Sequence, residues 1–158
     1  MTDLHDRFDA LRRANAVEPA DLDALWRDLA PASIEEMLGG WRGGDFATGH
    51  PASAVLEQVR WHGKRFDGPF DVKPLMCLDD DGALFSHLAA GGGGEASLWE
   101  VGFRGETTAT MVYDRMPVFD HFKKVDDDTV MGIMNGKLDA AFGVSDLYYF
   151  WLEREDRS

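Results

Sequence analysis

The sequence predicts a mainly β protein with N-terminal helices, an α+β chain whose strands form an antiparallel barrel. Three observations predict it. Apolar residues repeat at helical spacing in the first third, as Leu4, Phe8 and Leu11 and again as Leu22, Leu25, Trp26 and Leu29. From residue 61 onward the apolar period is mostly two. Turn-forming clusters punctuate that half: Asp79-Asp80-Asp81-Gly82, Gly105, Asp126-Asp127-Asp128 and Asn135-Gly136.

Each element follows in order. Residues 1–30 form the N-terminal helical segment, with Pro19 suited to a first helical position. Ser33-Ile34-Glu35-Glu36 reads as a capping box, and Gly39 ends the short helix behind it. Trp41 to Phe46 reads as extended. His50-Pro51 starts a further helix over 51–60, with Ala52, Val55, Leu56 and Val59 on one face. Strands are expected near 72–78, 83–89, 96–104, 107–113, 117–125, 129–135 and 147–154. Hairpins this closely spaced favour a meander that closes on itself to remove its edges. Gly91-Gly92-Gly93-Gly94 reads as a flexible hairpin loop, because no lysine or helix start follows to make a phosphate cradle. Residues 31–158 are therefore one β domain.

Composition excludes several functions. The chain has 158 residues, with 16 basic and 29 acidic side chains and a formal net charge of −13. Such a chain is repelled by phosphate backbones, so general nucleic-acid binding is not expected. Cys77 is the one cysteine, in the apolar run Leu75-Met76-Cys77-Leu78, and reads as a buried inert thiol. The acidic N-terminus lacks a signal-peptide core and no apolar run is long enough to span a bilayer, so a cytoplasmic location is the expectation.

A set of motifs carries a family resemblance. Gly39-x-Trp41-x-Gly43 with Thr48-Gly49-His50-Pro51 and Trp61-His62-Gly63-Lys64-Arg65-Phe66 resembles the GXWXG-domain family. Phe103-Arg104-Gly105, the run from Ala109 to Asp114, Pro117, Asp120-His121-Phe122, Lys124-Val125-Asp126 and Val130-Met131-Gly132 resemble the companion domain of unknown function that follows it. So does the aromatic ending Tyr149-Phe150-Trp151-Leu152-Glu153-Arg154. The resemblance covers about residues 30–154, the GXWXG part about 31–90 and the companion about 96–154. The polyglycine at 91–94 and the acidic 79–81 turn look particular to this chain. The resemblance implies one compact two-part unit and no established reaction. It suggests binding of a lipid or other hydrophobic molecule. Gly-x-Trp on a first strand also resembles the opening of lipocalin-like barrels. By that analogy Trp41 plugs the barrel floor and Arg154 lies across its ring, a contact worth about 0.5–2 kcal/mol. A pleckstrin-homology-like barrel is the competing architecture.

Candidate chemistry concentrates around residues 113–124. Val118, Asp120, Phe122 and Lys124 share one face of a strand, and Phe119, His121, Lys123 and Val125 the other. Each face mixes apolar and ionisable groups, which fits either a polar network in a ligand cavity or a satisfied structural one. Candidate catalytic groups are Asp120, His121 and Tyr113, with no set that stands as a complete catalytic centre. Candidate ligand-binding residues are His50, Trp61, Arg65, Tyr113, His121, Lys123 and Lys124. Lys64, Arg65, Arg104, Lys123 and Lys124 either converge on an anionic head group or form surface ion pairs. No metal is expected, since His50, His62 and His121 lack ligand spacing, and no cofactor is expected either.

The expected function is a binding protein. A lipid-like or other hydrophobic small molecule sits in the barrel, its anionic end near Arg65, Lys123 or Lys124, with the 51–60 helix as a lid. The alternatives are a small-molecule enzyme using Asp120, His121 or His50 beside Tyr113, and a protein-interaction module docking through the N-terminal helices.

Overall fold

A computed structural model describes residues 3–157. Residues 1–2 and 158, at the ends of the two expected segments, lie outside it. Two helices open the chain, α1 (Leu4–Arg13) and α2 (Pro19–Asp28). Asp3 caps α1 by accepting the Asp6 N–H, and Pro19 opens α2 where a missing N–H costs nothing. The short strand β1 (Ala30–Pro31) and the helix α3 (Ile34–Met37) follow. Ser33 and Glu36 complete the capping box from both sides.

The remaining elements are β2 (Gly39–Asp45), α4 (Ala52–Gln58), β3 (Trp61–Gly68), β4 (Asp71–Leu78), β5 (Leu84–Ser86), β6 (Ala96–Phe103), β7 (Glu106–Tyr113), β8 (Val118–Asp126), β9 (Thr129–Gly136), α5 (Leu138–Phe142) and β10 (Tyr148–Asp156). All the registered pairings are antiparallel. The order runs β8-β7-β6-β4-β3-β2-β10-β9, and β9 pairs again with β8, so the sheet closes into a ring. Each strand of the ring pairs with its neighbours in the chain, as a meander requires, and the last strand returns to the first at Arg154↔Trp41. The seam lies between β4 and β6, at Val72↔Ala96 and a 2.7 Å bond from Leu98 N–H to Pro69 O.

Neither part of the chain before or after the polyglycine at 91–94 makes this ring alone: β2–β4 come from the first and β6–β10 from the second. The structure also adds elements that periodicity did not resolve. β3 is interrupted by register shifts that blur its alternation. α5 has five residues and β1 two, too short for a periodic signal. The expected strand 83–89 shortens to β5 and a 3₁₀ turn, Ala89–Gly91.

Two apolar cores result. Trp41, Phe66, Met111, Phe122, Phe150 and Leu152 belong to the one inside the ring. Phe8, Leu22, Leu25, Trp26, Met131, Ile133 and Tyr149 belong to the other, between α1–α2 and the outer wall of β8–β10. The N-terminal helices thus use their apolar faces on this chain's own sheet. Strand β8 is covered on both sides, which is why its two faces both carry apolar residues.

Candidate functional site

The GXWXG segment sets the floor of the ring. Gly39 has φ +116°, which a β-carbon disfavours, and its position faces the Asp156 backbone. Trp41 is 1% exposed and donates from Nε1 to Met37 O at 2.8 Å. The Arg154 guanidinium lies 4.2 Å from the Trp41 ring centroid and donates to Leu38 O at 2.8 Å and Glu36 O at 2.5 Å. A β-carbon on Gly43 would run into the Trp61 ring. The last glycine of the motif therefore makes room for an aromatic side chain that lines the cavity above.

That cavity has a volume of about 170 Å³. Helix α4 roofs it with Ala52, Val55 and Leu56, and Ala141 and Phe142 of α5 close another side. The ring contributes Trp61, Leu75, Met134, Tyr148 and Phe150, an almost wholly apolar wall. Val55 lines the cavity yet is 43% exposed, which marks the mouth. The roof is pinned in place. Tyr148 OH donates to Asp45 Oδ2 at 2.7 Å, and Ser53 Oγ of α4 donates to the same oxygen at 2.5 Å. His50 Nδ1 accepts the Ala52 N–H at 3.0 Å, so Nε2 carries the proton and donates to Asp146 O at 2.9 Å. His50 thus starts the roof helix and ties it to the segment before β10.

Besides Tyr148, whose hydroxyl is held by Asp45, three polar side chains interrupt the apolar wall: Lys64, Tyr113 and Asp120. Lys64 Nζ donates to Pro74 O at 3.3 Å and to Tyr113 OH at 3.5 Å. It stands 3.2 Å from Asp120 Oδ2, an ion-pair distance. Neither carboxylate oxygen of Asp120 has a hydrogen-bond partner among the described residues, and the side chain is 0% exposed. The ring faces of Phe150, Trp61 and Tyr113 surround the lysine nitrogen at 5.2, 5.5 and 5.6 Å.

Burial dominates the electrostatics. Loss of water lowers the Lys64 pKa against the pull of Asp120, and raises that of Asp120 against the pull of Lys64. Both shifts point toward a neutral amine beside a neutral acid. Burial, then the Asp120 charge, hold the Tyr113 phenol far above its usual range. The wall thus sets a buried amine and a buried acid side by side, next to a buried phenol.

The structure divides the sequence-selected residues. It gathers Trp61, Tyr113 and Asp120 at the cavity. It puts His121 and Lys123 on the opposite face of β8, against α2 and β6, because alternation turns them away from Asp120. His121 stacks on Phe103 at 3.9 Å, with Nδ1 paired to Thr110 Oγ1 at 2.9 Å and Nε2 unpaired among the described residues. Lys123 Nζ donates to Trp26 O at 2.9 Å and pairs with Glu106. Lys124 pairs with Glu36 across β1 and α3, and Arg65 pairs with Asp67 at 2.7 Å and Asp156 at 3.1 Å, near the ring's floor. His62 faces Glu155 at 2.8 Å. Among the described residues no group of three His, Cys, Asp or Glu side chains gathers to hold a metal.

Lys64 is the cavity residue that sequence reasoning passed over as one of several basic groups. Its signal was present: Phe66, two positions on, is an inward apolar residue, so alternation turns Lys64 inward as well. Trp61 joins it on that side because the register shifts around Gly63 reset the alternation.

Comparison with known proteins agrees with this division of the chain. The family described as "GXWXG protein" matches residues 24–82, and the "Domain of unknown function (DUF4334)" matches residues 94–154. Among curated proteins none matches. A solved structure described as "Crystal structure of protein from Thermomonospora curvata" is similar to this chain at 37% identity, covering 98% of this chain and 100% of that one, with a TM-score of 0.86. Among the described residues no helix is long and apolar enough to cross a membrane.

Proposed function

The chain belongs to the GXWXG family with its DUF4334 companion, and from that premise we propose that it binds a small, mostly apolar molecule inside the ring. The observation that carries this is the cavity under α4, apolar apart from Lys64, Tyr113 and Asp120 at its wall. Its volume of about 170 Å³ suits a monocyclic or short-chain occupant better than a long acyl chain. An apolar cavity of ~150 Å³ accepts benzene. Lys64 and Asp120 together carry no net charge, so the polar end of the ligand is best an uncharged group such as a carbonyl or hydroxyl. Arg65, Lys123 and Lys124 have carboxylate partners elsewhere and are not needed to hold it.

Methyl NMR tests the reading. On titration with benzyl alcohol and cyclohexanone, Met116 and Met134 resonances shift and saturate. The Ala141→Trp variant, which fills the cavity, abolishes the shifts. No saturable shift with any member of a panel of such molecules would reject the proposal.

A further inference from the structure

We propose that Lys64 is a covalent binding residue for small aldehydes and ketones, condensing with the carbonyl to an iminium ion beside Asp120. This rests on the cavity being a ligand site, and it assigns that site its chemical class.

Four features support it. Lys64 lines the apolar cavity, and its nitrogen lies near the rings of other lining residues. Asp120 Oδ2 stands 3.2 Å from that nitrogen, within reach to take and return a proton. Asp120 is fully buried, with Oδ2 facing the Lys64 amine and Oδ1 without a hydrogen-bond partner among the described residues, which leaves acceptor capacity for whatever fills the site. The rings of Trp61, Tyr113 and Phe150 surround the nitrogen and stabilise a cation there whether it is an ammonium or an iminium.

The step balances without a further reagent. The Lys64 ammonium passes one proton to the Asp120 carboxylate, and the freed lone pair attacks the carbonyl carbon. The carbonyl π pair moves to oxygen, which takes the proton from Asp120. The new C–N centre loses a second proton to Asp120, which delivers it to the hydroxyl. The C–O bond breaks, water departs, and a protonated imine remains. Ammonium plus carbonyl becomes iminium plus water, with charge unchanged and Asp120 again a carboxylate next to a cation. No oxidant or reductant takes part.

The chain supplies its own controls. It has five lysines: Lys64, Lys73, Lys123, Lys124 and Lys137. Lys73 is held charged by Asp71 and Asp67, and Lys124 by Glu36, which keeps both poor nucleophiles, whereas burial moves Lys64 the other way. Lys123 is as buried as Lys64 but is engaged by the Trp26 carbonyl and by Glu106.

The test incubates the folded protein with benzaldehyde or cyclohexanone and cyanoborohydride near neutral pH, then maps the reduced adduct by peptide mass spectrometry. Expected is one adduct on Lys64, formed at least about tenfold faster than on any other lysine. The Asp120→Asn variant slows it by at least about tenfold, as loss of a proton shuttle does. Benzyl alcohol, which cannot condense, is titrated in parallel. If the alcohol binds the cavity but Lys64 is not preferentially modified, the imine proposal is overturned and the binding reading stands. If neither the alcohol nor a carbonyl compound enters, both fall. The mapping uses the unaltered chain, so the result does not depend on a variant folding.

Discussion

Two buried lysines on opposite sides of one sheet do different work. Lys64 lies inside the ring and Lys123 outside it, at 4% and 1% exposure. Lys123 donates to the Trp26 carbonyl near the end of α2, pairs with Glu106 at the margin of the outer core, and lies 5.4 Å from the Trp26 ring. The contacts with Trp26 tie a helix to the sheet, and the one with Glu106 joins β8 to β7. Lys64 has longer bonds, a carboxylate at 3.2 Å, and an open volume beside it. Dense packing with well-placed acceptors is what a structural cation needs. A cavity with an under-satisfied acid is what a site for another molecule offers. Both lysines are buried and each faces a carboxylate; what separates them is the packing around the pair.

Breaking the outer side has the largest effect. Lys123→Ala removes the tie to α2 and leaves the Trp26 carbonyl without its donor, and is expected to cost about 3–4 kcal/mol. Chemical denaturation measures the loss, and amide exchange shows α1 and α2 losing protection before the ring.

His121 sharpens the same contrast through pH. Burial, helped by Arg104, lowers its pKa from 6.5 to about 4. The unfolded chain therefore binds this proton at a higher pH than the folded one. The stability that depends on a neutral His121 is full above pH 6.5 and is lost as pH falls toward 4. The expected loss is about 2–3 kcal/mol, read as a falling thermal midpoint across that range. His121→Phe flattens that part of the profile, and a midpoint with the same slope in the variant would assign it to other groups.

The smallest effect is expected inside the ring. Lys64→Met with Asp120→Asn removes the inner pair as a unit and is expected to change stability by less than about 1 kcal/mol, in either direction. Benzyl alcohol still enters the cavity of this double variant by NMR. A large destabilisation would make the inner pair structural like the outer one and erase the comparison.

Much of the scaffold was legible in the chain. The period-two runs located the strands from β4 onward because a closed sheet with a dry interior enforces alternation. The motif at 39–43 marked the ring's floor, and the distant Arg154 meets Trp41 across the closing pair of strands. The site was legible only in part. Asp120, Tyr113 and Trp61 were selected for it, but so were His121 and Lys123. Their own alternation on β8 set them apart from Asp120. Nothing local said which face looked into a cavity, because α1 and α2 make the outer face as dry as the inner one.

The sequence by itself determined the elements, their antiparallel meander and the opposition of Asp120 to His121 along β8, since backbone geometry and apolar spacing are local. Only the tertiary structure decided which of those faces is hollow and which basic residue meets Asp120. Closing the ring brings β3 and β8 to face each other across its interior, and the register shifts in β3 bring both Trp61 and Lys64 to the cavity. The family motif accordingly belongs to the floor of the ring, and the chemistry to the space above it. That space exists because the ring's rigid perimeter and the pinned roof helix keep side chains from collapsing into it.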